Sequence, residues 1–124
     1  MKVLIVEDEK PAAERLITLL NEYDPSVEVI ACLESIDDTV QYLKQHTNPD
    51  VLLLDIHLSD GPSFEIFKQI NYTKPVIFTT AYDQYALDAF KMLSIDYILK
   101  PVTQEALATA LNKLKLLASS FSTN

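Results

Sequence analysis

Five short apolar runs divide the chain: KVLIV (2–6), VEVIACL (27–33), DVLLLDI (50–56), PVIFTTA (75–81) and IDYILK (95–100). Each has the length of a β-strand. The third and fourth are nearly continuous in Leu, Ile, Val and Phe, and polar alternation is absent from them. A strand with one wet face alternates, whereas a strand covered on both faces does not. The pattern predicts a parallel sheet with helices on either side.

The segments between the runs carry helical period. PAAERLITLLNEY begins with Pro11, which suits a first helical turn, and sets Ala13, Leu16, Ile17 and Leu20 on one stripe. SIDDTVQYLKQH opens with Ser35 as a cap and Asp38 three residues on, close to a capping box, with Ile36, Val40 and Leu43 as its stripe. PSFEIFKQI is short and stops before NYTKP. DQYALDAFKML has Asp83 as a cap and Ala86, Ala89, Phe90 and Leu93 inward. TQEALATALNKLKLLAS has Thr103 as a cap, then Leu107, Ala110, Leu111 and Leu114.

Strand and helix thus alternate five times. Right-handed crossovers place helices on both faces of a five-stranded parallel sheet, a doubly wound α/β domain, (βα)5, for which strand order 2-1-3-4-5 is expected. The expected domain covers residues 1–118. The small polar segment SSFSTN (119–124) reads as a frayed end or the start of a linker.

Length and composition fit this picture and remove others. A chain of 124 residues, 48% hydrophobic and 23% charged, makes one domain that buries roughly two-thirds of its unfolded surface. One cysteine rules out a disulfide framework and a cysteine zinc cluster. Cys32, within VEVIACL, is expected to be a small buried thiol. No run approaches the roughly 20 apolar residues of a membrane span. MKVLIVEDE turns acidic at once and lacks a small-residue cleavage site, so it reads as a strand and not a signal peptide, and a cytoplasmic location is expected. The net charge is −8, and ten scattered basic residues face 18 acids, so this domain is not expected to bind nucleic acid itself. Gly61 is the single glycine, which excludes a Walker loop and a dinucleotide fingerprint.

Charge is concentrated where the strands end. Glu7, Asp8 and Glu9 follow the first strand in succession, although like charges so close repel. In an open parallel sheet, ligands bind beyond the carboxyl ends of the strands, at the switch point of strand order. Strand one ends in Glu7–Asp8, strand three in Asp55, strand four in Thr79–Thr80 and strand five in Lys100–Pro101. Glu34, after strand two, falls off the switch point. Glu7, Asp8 and Asp55 offer hard oxygen donors suited to Mg²⁺, which would relieve their repulsion. Asp55 is then a candidate nucleophile for a phosphoryl group, with Thr80 and Lys100 as partners of the phosphoryl oxygens.

The stretches VLIVEDE, LLLDIHLSDGPSFEIF, VIFTTAYDQYALDAF and IDYILKP resemble the receiver domain of a two-component response regulator, over about residues 2–117. The last three resemble regulators of the LytTR class, whose partner domain binds DNA. The resemblance implies a flavodoxin/CheY-like fold. It implies Asp55 as phosphoacceptor from a sensor histidine kinase, Asp8 as direct Mg²⁺ ligand and Glu7 as its water-mediated neighbour. The backbone carbonyl of His57 is a further implied ligand. Thr80 matches the switch hydroxyl, Lys100 the phosphate-pairing lysine, and Tyr97 the aromatic that turns inward. The Lys100–Pro101 bond is cis in the family. The implied output is a surface of helix four, strand five and helix five that makes homodimer or partner contacts, with Tyr85, Phe90, Lys91 and Asp96 on or near it. Control of transcription would run through a C-terminal DNA-binding domain not in this chain; a stand-alone receiver is the alternative. Three positions depart from the common pattern: Glu7 stands where Asp is frequent, His57 where Asn is, and Phe64 where many receivers have a second glycine. Tyr82, two residues beyond Thr80, is expected to limit attacking water.

Taken singly, these residues have plainer readings. Glu7, Asp8 and Glu9 suit a solvated helix start, the role assigned to Glu9. Asp55 alone reads as a helix cap, Thr80 as a strand-end hydroxyl, Lys100 as a surface cation and Tyr97 as an amphipathic strand residue. His46 reads as a last-turn helix cation. Three other functions compete. An aspartyl phosphatase places a second Asp where this chain has His57. A flavin carrier needs a hydroxyl-rich or glycine-rich loop after strand one, where EDEKP would repel phosphate. An inactive receiver used as a binding module would not need the acidic pair, Asp55, Thr80 and Lys100 together. Joint placement on one sheet edge favours the phosphoacceptor site.

Overall fold

The computed structural model describes residues 1–46, 48–81 and 94–122. Five parallel strands form the main sheet: β1 (Lys2–Val6), β2 (Glu28–Leu33), β3 (Val51–Asp55), β6 (Val76–Thr80) and β7 (Ser94–Leu99). Their spatial order is β2-β1-β3-β6-β7, the predicted 2-1-3-4-5. A small antiparallel hairpin, β4 (His57–Leu58) and β5 (Gly61–Pro62), follows β3 and had no counterpart in the sequence pattern.

The helices are α1 (Lys10–Tyr23), α2 (Ile36–Gln45), a 3₁₀ turn (Ser63–Glu65) running into the short α3 (Ile66–Gln69), and the C-terminal α4 (Gln104–Ser122). Pro11 lies in the first turn of α1. Ser35 caps α2, its hydroxyl oxygen accepting from the Asp38 N–H at 3.0 Å. Thr103 does the same for α4, accepting from Ala106 at 3.1 Å. α4 continues to Ser122, three residues past the predicted stop, so most of the segment expected to fray is helical. The fourth predicted helix, 83–93, lies outside the described residues.

Alternation along each strand sends side chains to two cores. Val3, Ile5, Val51, Leu53, Ile77 and Ile98 pack with α1 and α4 on one face. Leu4, Val6, Leu52, Leu54, Val76 and Phe78 pack with α2 and α3 on the other. β3 and β6 are buried at every position, as their unbroken apolar runs predicted. Helix stripes differ in detail: Leu19 is buried in α1 where Ile17 is half-buried, and Thr39 is buried in α2 where Leu43 is half-buried.

Cys32 corrects an expectation. It is exposed, because β2 is an edge strand whose faces are only partly covered. An apolar sequence context does not distinguish an edge strand from a central one. Among the described residues, no helix is long and apolar enough to cross a membrane.

Candidate functional site

The residues singled out at the strand ends meet along one sheet edge. Glu7 directly follows β1 and continues the row of Val3 and Ile5, on the α1/α4 face. Asp55 ends β3 in the row of Val51 and Leu53. Lys100 follows β7 in the row of Ile98. Parallel pairing keeps these rows level: Val3 sits beside Val51, and Asp55 beside Thr79.

One lysine joins two of the acids. Lys100 Nζ lies 2.9 Å from Oδ2 of Asp55, which it hydrogen-bonds, and 2.6 Å from Oε1 of Glu7. The contact with Glu7 is a close charge pairing without well-aligned hydrogen-bond geometry. The other Glu7 oxygen accepts from the Glu9 N–H at 3.1 Å, and Oδ1 of Asp55 accepts from the His57 N–H at 3.2 Å. Glu7 and Asp55 are buried, Asp8 is half-buried and Glu9 is exposed. The three consecutive acids are therefore three different environments. Glu9 is the N-cap residue of α1, the helix-start role assigned to it.

Electrostatics follow from this burial. Desolvation pushes the Glu7 carboxyl up to about 7, against the pull of Lys100 and the Glu9 N–H, and the nearby Asp55 charge adds to the rise. Burial works to lower Lys100, but its bonds to Glu7 and Asp55 outweigh that and hold it above the ordinary lysine value. Glu7, Asp8 and Asp55 each present an oxygen within 4.8 Å of the others. All three donors are hard carboxylate oxygens, drawn close together with one ammonium, that of Lys100, between Glu7 and Asp55. This donor set fits a small divalent cation.

The other predicted residues sit around this centre. Thr80 is fully buried at the end of β6, and its carbonyl accepts from the Lys100 N–H at 2.7 Å. Earlier on β6, Val76 and Phe78 pack into the α2/α3 core. Tyr97 is half-buried against that same core, beside Phe78 in the β6–β7 register. The Lys100–Pro101 peptide is cis. His57 is exposed, at the start of the hairpin. His46 follows α2, its ring stacked on Tyr42 at 4.3 Å between centroids. Tyr82, Tyr85, Phe90 and Lys91 lie outside the described residues.

Three interactions were not anticipated. The Glu7–Lys100 ion pair is one. Arg15 is another: its Nε donates to the Val102 carbonyl at 2.8 Å, tying α1 to the turn after Lys100. Asp60 is the third, with its carboxylate on the first N–H groups of α2. No local signal marks any of them, since the partners are 87 and 24 residues apart for Arg15 and Asp60.

Comparison with known proteins agrees with this fold. Residues 3–112 match the response regulator receiver domain. The chain belongs to that family. Over 118 residues it is 42% identical to the sensory transduction protein LytT of Bacillus cereus, covering 93% of this chain and 47% of that protein. It is 38% identical to the transcriptional regulatory protein LytR of Staphylococcus aureus, with the same coverage. The chain thus spans about half the length of the curated relatives it matches. The response regulatory domain of mrkE from Klebsiella pneumoniae superposes over the full length of both chains, with a TM-score of 0.81 at 28% identity. As a receiver domain of the LytT/LytR type, the chain is a signalling module of a two-component system, and the likeness to LytTR-class regulators is matched by these relatives.

Proposed function

We propose that this receiver is a phosphorylation switch with Asp55 as its acceptor. The observation that supports it most is the Asp55 carboxylate at the end of β3, held by the Lys100 ammonium within a cluster that also presents Glu7 and Asp8. Glu7, Asp8, Asp55 and the backbone carbonyl of His57 are the groups that would hold Mg²⁺. The bound ion would supply positive charge to offset the carboxylates and the transferring phosphoryl oxygens.

The chain's own residues carry the rest. An oxygen of Asp55 attacks the phosphorus of a phosphohistidine on a sensor kinase; the P–N bond breaks, a P–O bond forms, and the imidazole leaves with a proton. Lys100 stays paired with the acceptor and neutralises a phosphoryl oxygen. Thr80 donates its hydroxyl to another. Tyr97, half-buried beside Phe78, follows Thr80 inward. The change biases a two-state surface around β7 and α4, together with the fourth predicted helix. That surface makes homodimer or partner contacts. In the complete regulator it controls transcription through a C-terminal DNA-binding domain of the LytTR type, in the cytoplasm.

Intact mass after incubation with a small phosphodonor tests this reading. We expect one Mg²⁺-dependent phosphoryl adduct, absent in Asp55→Asn. No adduct from either a small donor or a kinase would refute it and favour an inactive binding module.

A further inference from the structure

The hairpin after β3 is pinned at both ends. At its base, the Ser63 N–H donates to the Ile56 carbonyl at 2.8 Å, which closes the loop immediately after Asp55. Its two rungs pair His57 with Pro62 and Leu58 with Gly61, leaving Ser59 and Asp60 as the turn. At that tip, Asp60 reaches α2. Its Oδ1 accepts from the Ile36 N–H at 3.0 Å and its Oδ2 from the Asp37 N–H at 3.2 Å. These N–H groups have no partner inside the helix. The Ile36 N–H holds the Asp60 carboxyl below the usual aspartate value, in keeping with a carboxylate bound in its charged form.

α2 is a firm anchor. Ile36 and Val40 are buried in the core that β1 and β3 share. The hairpin lies directly on Ile36: a Cβ added at Gly61 would sit 3.4 Å from Ile36 Cδ1. The helix also has a cap of its own, the Ser35 hydroxyl on the Asp38 N–H. Ser35 covers only the Asp38 N–H, so Asp60 shares in the capping, and it does so from 24 residues further along the chain. What Asp60 adds is a tether from the helix to the hairpin that starts at His57, whose N–H meets Oδ1 of Asp55.

We infer that Asp60 is a positioning residue for the Asp55 site: by gripping the α2 N-terminus it fixes the hairpin that carries the His57 backbone. This rests on the reading of Glu7, Asp8 and Asp55 as a Mg²⁺ site. Groups that orient metal ligands from the outer shell change affinity when removed, typically by about 10-fold or more.

The test is calorimetric titration with Mg²⁺ on the unaltered chain, Asp60→Ala, Asp60→Asn and Ser35→Ala, with circular dichroism checking each fold. Asp60→Ala should bind Mg²⁺ about tenfold more weakly and exchange the His57 amide faster. Asp60→Asn loses the charge but keeps an oxygen for Ile36, and should retain most of the affinity. Ser35→Ala weakens the same helix without touching the hairpin, and should bind as the unaltered chain does. Equal affinity in Asp60→Ala and the unaltered chain would overturn the inference. Equal losses in Asp60→Ala and Asp60→Asn would also do so, since charge alone would then be the cause. Equal losses in Asp60→Ala and Ser35→Ala would overturn it too, by assigning the effect to helix stability. Failure of the unaltered chain to bind Mg²⁺ would fell the metal-site reading first, and this inference with it.

Discussion

The ammonium of Lys100 lies 2.6 Å from Oε1 of Glu7, and the Glu7 side chain is only 1% exposed. Lys100 is also the partner of Asp55. One lysine thus offsets two buried carboxylates at the mouth of the sheet.

Removing that lysine strands both acids. Breaking a buried pair typically costs about 3–5 kcal/mol, and the 20% exposure of the Lys100 side chain reduces this. Lys100→Met should lower metal-free stability by roughly 2–4 kcal/mol. Mg²⁺ should then raise its melting temperature more than that of the unaltered chain, because the ion binds only the folded state. Melting curves with and without Mg²⁺ check both statements. An unchanged metal-free melting temperature would contradict the role given to the pair.

Glu7 makes the site sensitive to pH. Its folded value, near 7, lies above the ordinary 4.5, so the folded state holds the proton more tightly. The stability tied to that proton is fully present below pH 4.5 and is lost as pH rises through about 7. Mg²⁺ works in the opposite sense, since its ligands must be deprotonated. Apparent Mg²⁺ affinity should therefore climb as pH rises through about 7, and binding near that pH should release protons. Titrations in buffers of different ionisation enthalpy measure that release. Glu7→Gln should flatten the profile.

Thr80 ends β6 and Tyr97 lies on β7 beside Phe78, apart from the acceptor on β3, so accepting phosphate and responding to it are separable. Thr80→Ala should still gain the phosphoryl group in the mass spectrum. The ring resonances of Tyr97 should then no longer shift on phosphorylation. A normal Tyr97 shift in Thr80→Ala would remove the hydroxyl from the switch.

Phe78 anchors the α2/α3 core. It is fully buried in β6, with ring contacts to Phe64 at 5.2 Å and Phe67 at 6.5 Å. Phe78→Ala should cost about 3–5 kcal/mol in denaturant unfolding. A loss under 1 kcal/mol would mean that the neighbours collapse into the space.

Gly61 holds a backbone angle of φ +134°, a region that side chains rarely adopt. Gly61→Ala should cost roughly 1–3 kcal/mol through backbone strain. It should also weaken Mg²⁺ binding, because it disturbs the hairpin that Asp60 tethers. Unfolding curves and the same calorimetric titration read the two effects.

Much of this was legible in the chain. Unbroken apolar runs meant strands covered on both faces, and β3 and β6 are buried throughout. Caps at Ser35 and Thr103 marked helix starts because the hydroxyl and its N–H partner are only three residues apart. Alternation of strand and helix meant a doubly wound parallel sheet, and its order, β2-β1-β3-β6-β7, brings Glu7, Asp8, Asp55 and Lys100 to one edge. Local patterns and connection rules determined these features without reference to distant contacts. Tertiary structure alone decided the rest. Cys32 is exposed because β2 lies at an edge, a property of the sheet and not of the strand. Glu7 differs from Asp8 and Glu9 because burial is set by α1 and by Lys100, which is 93 residues away in sequence. Asp60 reached α2 through a hairpin of two-residue strands, too short to carry an alternating pattern. Burial and long-range pairing depend on which elements end up adjacent, and that information exists only once the chain has folded.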